Sequence, residues 1–171
     1  MSCKKIGLLG GRGYVGQEII SLLNKNNDLN IGSVYSSSRA GQPVSMDASG
    51  EIIYQDLALD KIDLGDEEAF ILALPNMKSQ QYVDLIANHN KEAIIVDLSS
   101  DHRFDKNWEY RIPELSDPVS SKKISNPGCY ASAMQFMIAP ILNILDGPVN
   151  LFGISGYSGA GASPNQRNDT E

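Results

Sequence analysis

Apolar positions along this chain fall into two recurring patterns, short unbroken runs and stretches spaced by three and four. Lys5–Leu9 is a run of the first kind and ends at a glycine cluster. Tyr14–Leu23 then carries Val15, Ile19, Ile20, Leu22 and Leu23 at helical spacing. Strand, tight turn and helix is the predicted order. Leu29–Tyr35 reads as a second strand, closing a βαβ unit of about thirty residues, the size of a parallel crossover. Ala69–Leu74, stopped by Pro75, and Ala93–Leu98 read as strands buried on both faces. Between them Ser79 is placed to cap a helix running to about Asn90. Tyr130–Leu145 reads as a helix kinked at Pro140, and Asn150–Ile154 as one more strand. Residues 40–66 are punctuated by Gly41, Pro43, Gly50 and Gly65, with Ile52–Tyr54 as a short strand, and Ser99–Ser121 is a polar and aromatic loop. The alternation predicts an α/β fold, a Rossmann-like doubly wound parallel sheet.

Composition narrows the partners. With 171 residues, 42% of them hydrophobic and 20% charged, there is enough apolar matter for a globular domain, and disorder is excluded. The formal charge of -7 repels nucleic acid and anionic membrane surfaces, so neither is expected as a partner and an anionic ligand must be held locally. No apolar run is long enough to span a bilayer, no signal-peptide core follows Met1, and cysteines number 2, which together predict a cytoplasmic protein. His and Cys show no metal-ligand clustering, and no metal is expected.

Three segments carry candidate chemistry. Gly10, Gly13 and Gly16, with Gly11, lie between the first strand and first helix, where backbone without Cβ atoms can approach a pyrophosphate at a helix N-terminus. The same glycines would also serve a tight turn packed against the sheet. Ser36, Ser37, Ser38 and Arg39 end the second strand, where an NAD site would place an acid. Hydroxyls and a guanidinium suit a 2′-phosphate, or form a solvated loop. Cys129 follows Asn126-Pro127-Gly128 at the start of a helix, a position suited to a nucleophile because helix N-termini favour thiolate over thiol. Asn126 and the local amides suit an oxyanion. The alternative is a small buried cysteine. Cys3 is given no role, His89 reads as a solvated or dipole-compensating side chain, and His102 as a structural loop contact.

Gly10–Gly16, Ala73–Asn76, Asp97–Phe104, Trp108–Tyr110, Ile124–Tyr130 and Ser155–Gly161, in that order, resemble the N-acetyl-gamma-glutamyl-phosphate reductases. His102 stands where that family usually has Tyr. The resemblance implies NADP(H)-dependent reduction of an acyl phosphate through a cysteine thioester, in arginine biosynthesis. Cys129 would be the nucleophile, assisted by Asn126. Gly10, Arg12, Gly13, Tyr14, Val15, Gly16, Ser36, Ser38 and Arg39 would hold the dinucleotide. Leu74, Pro75, Asn76, Ser158 and Gly159 would lie toward the nicotinamide. Ser99, Arg103, Asn126, Ser155, Tyr157 and Gly161 would line the substrate side. It further implies that residues 1–149 form the cofactor domain and 150–171 begin a second, α+β substrate domain. The family's catalytic histidine would lie beyond residue 171, leaving this stretch inactive alone, and the full-length protein would be a homo-oligomer. An aspartate-semialdehyde dehydrogenase-like enzyme and a non-catalytic NADP-binding domain are the alternatives.

Overall fold

The structure is a computed structural model that describes residues 3–44 and 52–160. Its strands are β1 (Lys4–Leu9), β2 (Leu29–Ser36), β3 (Tyr54–Asp56), β4 (Ala69–Leu72), β5 (Ile94–Asp97), β6 (Glu109–Tyr110) and β7 (Lys123–Ser125). They form one sheet in the order β3-β2-β1-β4-β5-β7-β6, and every neighbouring pair is parallel. Strand order reverses between β1 and β4, which places a crevice outside the carboxyl ends of those two strands.

Side chains on a strand alternate between faces, and two separate cores follow from that. On one face Leu8 and Val34 join Val44, Tyr54 and Ile20, the last from helix α1 (Tyr14–Leu23). On the other, Leu9, Tyr35, Phe70 and Leu72 pack with Tyr82, Val83 and Ile86 of helix α2 (Gln80–His89). One helix per face is the doubly wound arrangement that the apolar runs predict. Helix α3 (Cys129–Ile138) differs, having no buried residue.

Several expectations change in detail. The fourth and fifth strands stop at Leu72 and Asp97, shorter than their apolar runs. Residues 150–154 form no strand and pair with neither edge of the sheet, β3 or β6. Instead they line a groove with Tyr130, Met134 and Met137 of α3. The Tyr130–Leu145 helix is broken rather than kinked, since Pro140 lacks an N–H, and the chain continues as a 3-10 turn at Ala139–Ile144.

Ser79 occupies the N-cap position of α2 but makes no side-chain cap bond. Asp101 serves that end instead, its two carboxylate oxygens accepting the amides of Met77 at 2.6 Å and Ser79 at 3.0 Å. Met77 is thereby held at φ 66, in the left-handed region that few non-glycine residues adopt. Burial is the largest single influence on Asp101 and works against its ionisation, but the amides of Met77 and Ser79, the hydrogen bond with Ser99 and the nearby His102 together hold the carboxyl below its ordinary value.

At the crevice the backbones touch. Gly10 has φ +89, and a Cβ there would stand 2.2 Å from the carbonyl oxygen of Ala73. Gly16 is similarly closed, its Cβ position 2.6 Å from the Gly10 oxygen.

Two outcomes are expected. Gly10→Ala combines a strained φ with a backbone clash and should cost about 2–4 kcal/mol, read as a lower urea midpoint. Asp101→Asn should cost about 0.5–2 kcal/mol at neutral pH. Because the folded carboxyl titrates below its unfolded value, the deficit should be complete above about pH 4 and close as the pH falls through the lower folded value. An Asp101→Asn chain with an unchanged acid limb in a pH series of melts would refute the assignment.

Candidate functional site

Because the strands are parallel, the loops after β1, β2, β4, β5 and β7 leave the sheet at one edge. The sequence-predicted residues distribute along that edge from the glycine turn at β1 to Cys129 beyond β7.

In the glycine turn, Gly10 and Gly11 both donate their amides to the Tyr35 oxygen, at 3.0 and 3.1 Å, tying the turn to the end of β2. Gly11 and Gly16 are buried, and their missing Cβ atoms are required by neighbours in the protein itself. Gly13 is different. It has an ordinary φ of -63, and a Cβ there would find just the Gly10 oxygen, at 3.6 Å. Neither strain nor packing demands glycine at this position. Gly13 caps α1 without a side-chain bond, and the first helical bond is Gln17 N–H to the Gly13 oxygen at 2.9 Å. The amides of Tyr14, Val15 and Gly16 therefore have no acceptor within their own helix. Tyr14 and Val15 are exposed in front of them.

Arg12 reaches from this turn to the end of β2 and donates from Nη1 to the Ser38 hydroxyl at 3.2 Å. Arg39 is exposed beside them. Neither arginine forms an ion pair among the described residues. Ser36 is buried, and its hydroxyl accepts the Ser38 amide at 3.4 Å, so it shapes the loop from beneath. An open glycine, uncapped amides and two cations fit the pyrophosphate and 2′-phosphate of a dinucleotide.

The loops after β4 and β5 are bound to each other. Leu74 packs on the core, Pro75 and Asn76 are exposed, and Asn76 Oδ1 accepts the Ser100 amide at 3.0 Å. Below them Asp97 is wholly buried, and its carboxylate accepts four hydrogen bonds. Oδ1 takes the Ser79 hydroxyl at 2.9 Å and the Ser99 amide at 3.0 Å. Oδ2 takes the Ser99 hydroxyl at 2.8 Å and His102 Nδ1 at 2.6 Å. Ser99 is thus buried in this cluster. His102 is the loop contact that its context predicts, whereas His89, at the end of α2, places Nε2 2.9 Å from the Gly65 oxygen.

Cys129 is exposed at the first position of α3, which removes the buried-cysteine alternative. The preceding turn is held by the Asn126 amide donating to the Asp97 oxygen at 2.8 Å and by Asn126 Nδ2 donating to the Pro127 oxygen at 2.9 Å. The α3 N-terminus has no side-chain cap, and its first helical bond is Ser132 N–H to the Gly128 oxygen at 2.9 Å. Amides are therefore left at the sulfur's end of the helix. Arg103 lies over this turn, Nε donating to the Asn126 oxygen and Nη2 to the Leu98 oxygen, both at 3.1 Å. A Cβ on Gly128 would meet Arg103 Nη1 at 2.9 Å.

Ser155, Tyr157 and Gly159 lie in or next to the 3-10 turn Tyr157–Ala160. Ser155 donates to the Gly156 oxygen at 3.2 Å, and Tyr157 is exposed. Gly159 leaves room for the Ser155 hydroxyl, which lies 2.3 Å from where its Cβ would be. The Ser158 side chain and Gly161 lie outside the described residues. Among the described residues no group of three His, Cys, Asp or Glu could hold a metal, and no helix is long and apolar enough to cross a membrane.

Sequence reasoning missed Asp97, Ser79 and Gln80 as parts of this edge. An acid closing an otherwise apolar strand was the available signal, since buried acids need partners. It also missed Gln17, which donates to the Tyr54 hydroxyl at 2.8 Å behind the glycine turn.

The chain is 43% identical over 98% of its length to the N-acetyl-gamma-glutamyl-phosphate reductase of Xanthomonas axonopodis pv. citri, covering 55% of that protein. It is 42% identical over 96% of its length to Protein arg11, mitochondrial, of Schizosaccharomyces pombe, covering 19% of it. The chain thus spans about half the length of the bacterial relative and a smaller part of the yeast one. Among solved structures, aspartate semialdehyde dehydrogenase II of Vibrio cholerae superimposes with a TM-score of 0.70 at 16% identity, over 83% of this chain and 47% of that one. The Candida albicans aspartate semialdehyde dehydrogenase with NADP gives 0.63 at 20% identity, over 84% and 48%. At such identities the structures speak for the fold. The family model for the semialdehyde dehydrogenase NAD-binding domain matches residues 5–123, from β1 to the start of β7, and on that match the chain belongs to the semialdehyde dehydrogenase family through its NAD-binding domain.

Proposed function

We propose that this chain is the NADP(H)-binding and nucleophile-bearing part of an N-acetyl-gamma-glutamyl-phosphate reductase. The observation that carries the reading is an exposed thiol at the N-terminus of α3, on the same sheet edge as an open, uncapped glycine turn. The 43% identity to a relative of that name supports this substrate over the aspartate-semialdehyde alternative, whose solved structures share the fold at 16% and 20% identity.

The dinucleotide would lie with its pyrophosphate on the first-turn amides of α1, passing Gly13, and its 2′-phosphate between Arg12, Ser38 and Arg39. Leu74, Pro75 and Asn76 would follow it toward the nicotinamide. When bound, NADPH supplies the hydride. Cys129 Sγ attacks the acyl carbon, the carbon–sulfur bond forms as the carbon–oxygen bond to phosphate breaks, and phosphate leaves. The resulting thioester accepts hydride far more readily than a carboxylate would. Collapse of the thiohemiacetal oxyanion would then expel the Cys129 thiolate and release the aldehyde. The uncapped amides at the start of α3 would face the oxyanion of both steps, and the second hydrogen on Asn126 Nδ2 is the donor that side chain would have left for it. Arg103, across Gly128, places a cation near the acyl phosphate, which an acidic protein must supply locally.

Losing a positioned acid-base group costs about 10²–10⁴-fold in rate. Neither His89, facing the Gly65 oxygen, nor buried His102 is placed to serve Cys129, so these 171 residues alone should bind cofactor with negligible turnover. The remaining length of the relatives would carry the histidine and the oligomer contacts and cover the apolar side of α3. A reducing compartment such as the cytoplasm keeps Cys129 a thiol.

Two measurements test the reading. In a fluorescence titration of the 171-residue chain NADPH should bind more tightly than NADH. Gly13→Ala should weaken NADPH binding about tenfold or more while lowering the unfolding free energy from urea melts by no more than about 1 kcal/mol, the cost of a poorer N-cap. Equal affinity for both cofactors, or no effect of Gly13→Ala, would remove the cofactor assignment. Phosphate-dependent NADP⁺ reduction with N-acetylglutamate semialdehyde should appear in the chain extended to its relatives' length and fall by about 10³-fold or more in Cys129→Ala. Turnover that survives that substitution, or a preference for aspartate semialdehyde, would overturn the reaction.

A further inference from the structure

The buried cluster under residues 99–108 takes no part in the steps above, yet its construction is specific. From Ser100 to Asn107 the chain is exposed or half-buried except at His102, which is 3% exposed. His102 is held on every side. Nδ1 is 2.6 Å from Asp97 Oδ2, Nε2 is 3.0 Å from Gln80 Oε1, and the ring stacks on Trp108 with centroids 4.0 Å apart and planes 16° apart. Gln80 is oriented in turn by donating Nε2 to Asp84 at 2.8 Å.

The next residue is Arg103, whose guanidinium spans from the Leu98 oxygen to the Asn126 oxygen and lies against Gly128. Both sides of that contact are referenced to one residue. The Asp97 carboxylate anchors His102 and so the Arg103 backbone, while the Asp97 carbonyl accepts the Asn126 amide and so sets the turn. An arginine on an unanchored loop would lose this pose to its own rotamer freedom.

We propose that His102 is a positioning residue, which through Asp97 fixes Arg103 against the Asn126–Gly128 turn and thereby sets the environment of Cys129. The assignment rests on the reading of Cys129 as the nucleophile. It gives His102 a task that its separation from the thiol conceals.

The test is the rate at which iodoacetamide alkylates Cys129 in the 171-residue chain, in a Cys3→Ser background that leaves one thiol. His102→Phe retains the ring stack on Trp108 and deletes both nitrogens. His102→Asn restores an N–H donor at the position of Nδ1. His102→Phe and Arg103→Ala should each change the rate about three- to tenfold in the same direction, and the double variant should go no further than Arg103→Ala alone. His102→Asn should recover most of the parent rate. If His102→Phe lowers the urea midpoint but leaves the alkylation rate within about twofold of the parent, or if the two effects simply add, His102 is structural and the proposal fails. Should His102→Phe not fold, Gln80→Ala takes its place, since it removes the exposed Nε2 partner, and the same two outcomes decide. Alkylation needs neither cofactor nor substrate. Coupling here together with activity that survives Cys129→Ala would therefore sink the reaction and spare the positioning role, and the reverse pattern would do the opposite.

Discussion

The Asp97 carboxylate is the group on which the loops of this edge depend. Fully removed from water, it would be costly without partners, and four donors from three residues meet that cost. Each donor belongs to a segment with its own purpose. Ser79 brings in the start of α2, Ser99 and His102 bring in the loop carrying Arg103, and the residue's own carbonyl brings in the turn before Cys129. Asp101 repeats the device one layer out, gathering the amides of Met77 and Ser79. Two acids thus hold in register three loops that have no regular secondary structure.

The other constraint is steric. At the point where strand order reverses, β1 and β4 end so close together that Gly10 has no room for a side chain against Ala73. That closure turns the chain sharply into α1 and aims its uncapped amides at the crevice. Gly13 alone of the turn's glycines faces open space without strain, which separates the glycines that build the site from the one that a ligand would need.

The acidic chain and its anionic ligands are reconciled by this local arrangement. Exposed acids dominate the net charge of -7, but the crevice presents helix amides, Arg12, Arg39 and Arg103. Over a Debye length of about 8–10 Å the near groups outweigh the distant ones.

Much of this was legible in the amino-acid order. Apolar runs gave β4 and β5 as strands covered on both faces, the βαβ spacing around the glycine turn gave β1 and β2, and helical spacing gave α1 to the residue, because a local period reports directly which side is buried. The glycine turn, the Ser38–Arg39 segment and the Cys129 turn were likewise readable, since turn chemistry is short-range. The two-residue β6 and three-residue β7 were not, being too short to show a period, and the run 150–154 misled because an apolar segment does not say what it will pair with, and here it lines a groove with α3. Ser79 read as a cap and became a partner of Asp97. His102 read as a loop contact, and nothing local pointed to Gln80, Trp108 or its tie through Asp97 to the Cys129 turn. Local pattern was enough for the strand and helix order and for the kinds of chemistry at hand. That Ser79 reaches the Asp97 carboxylate, that Gln80 reaches His102, that Arg103 reaches the Asn126 turn, and which glycine is left open were decided only by tertiary packing, because these contacts join residues 18 to 23 positions apart whose meeting no local pattern encodes.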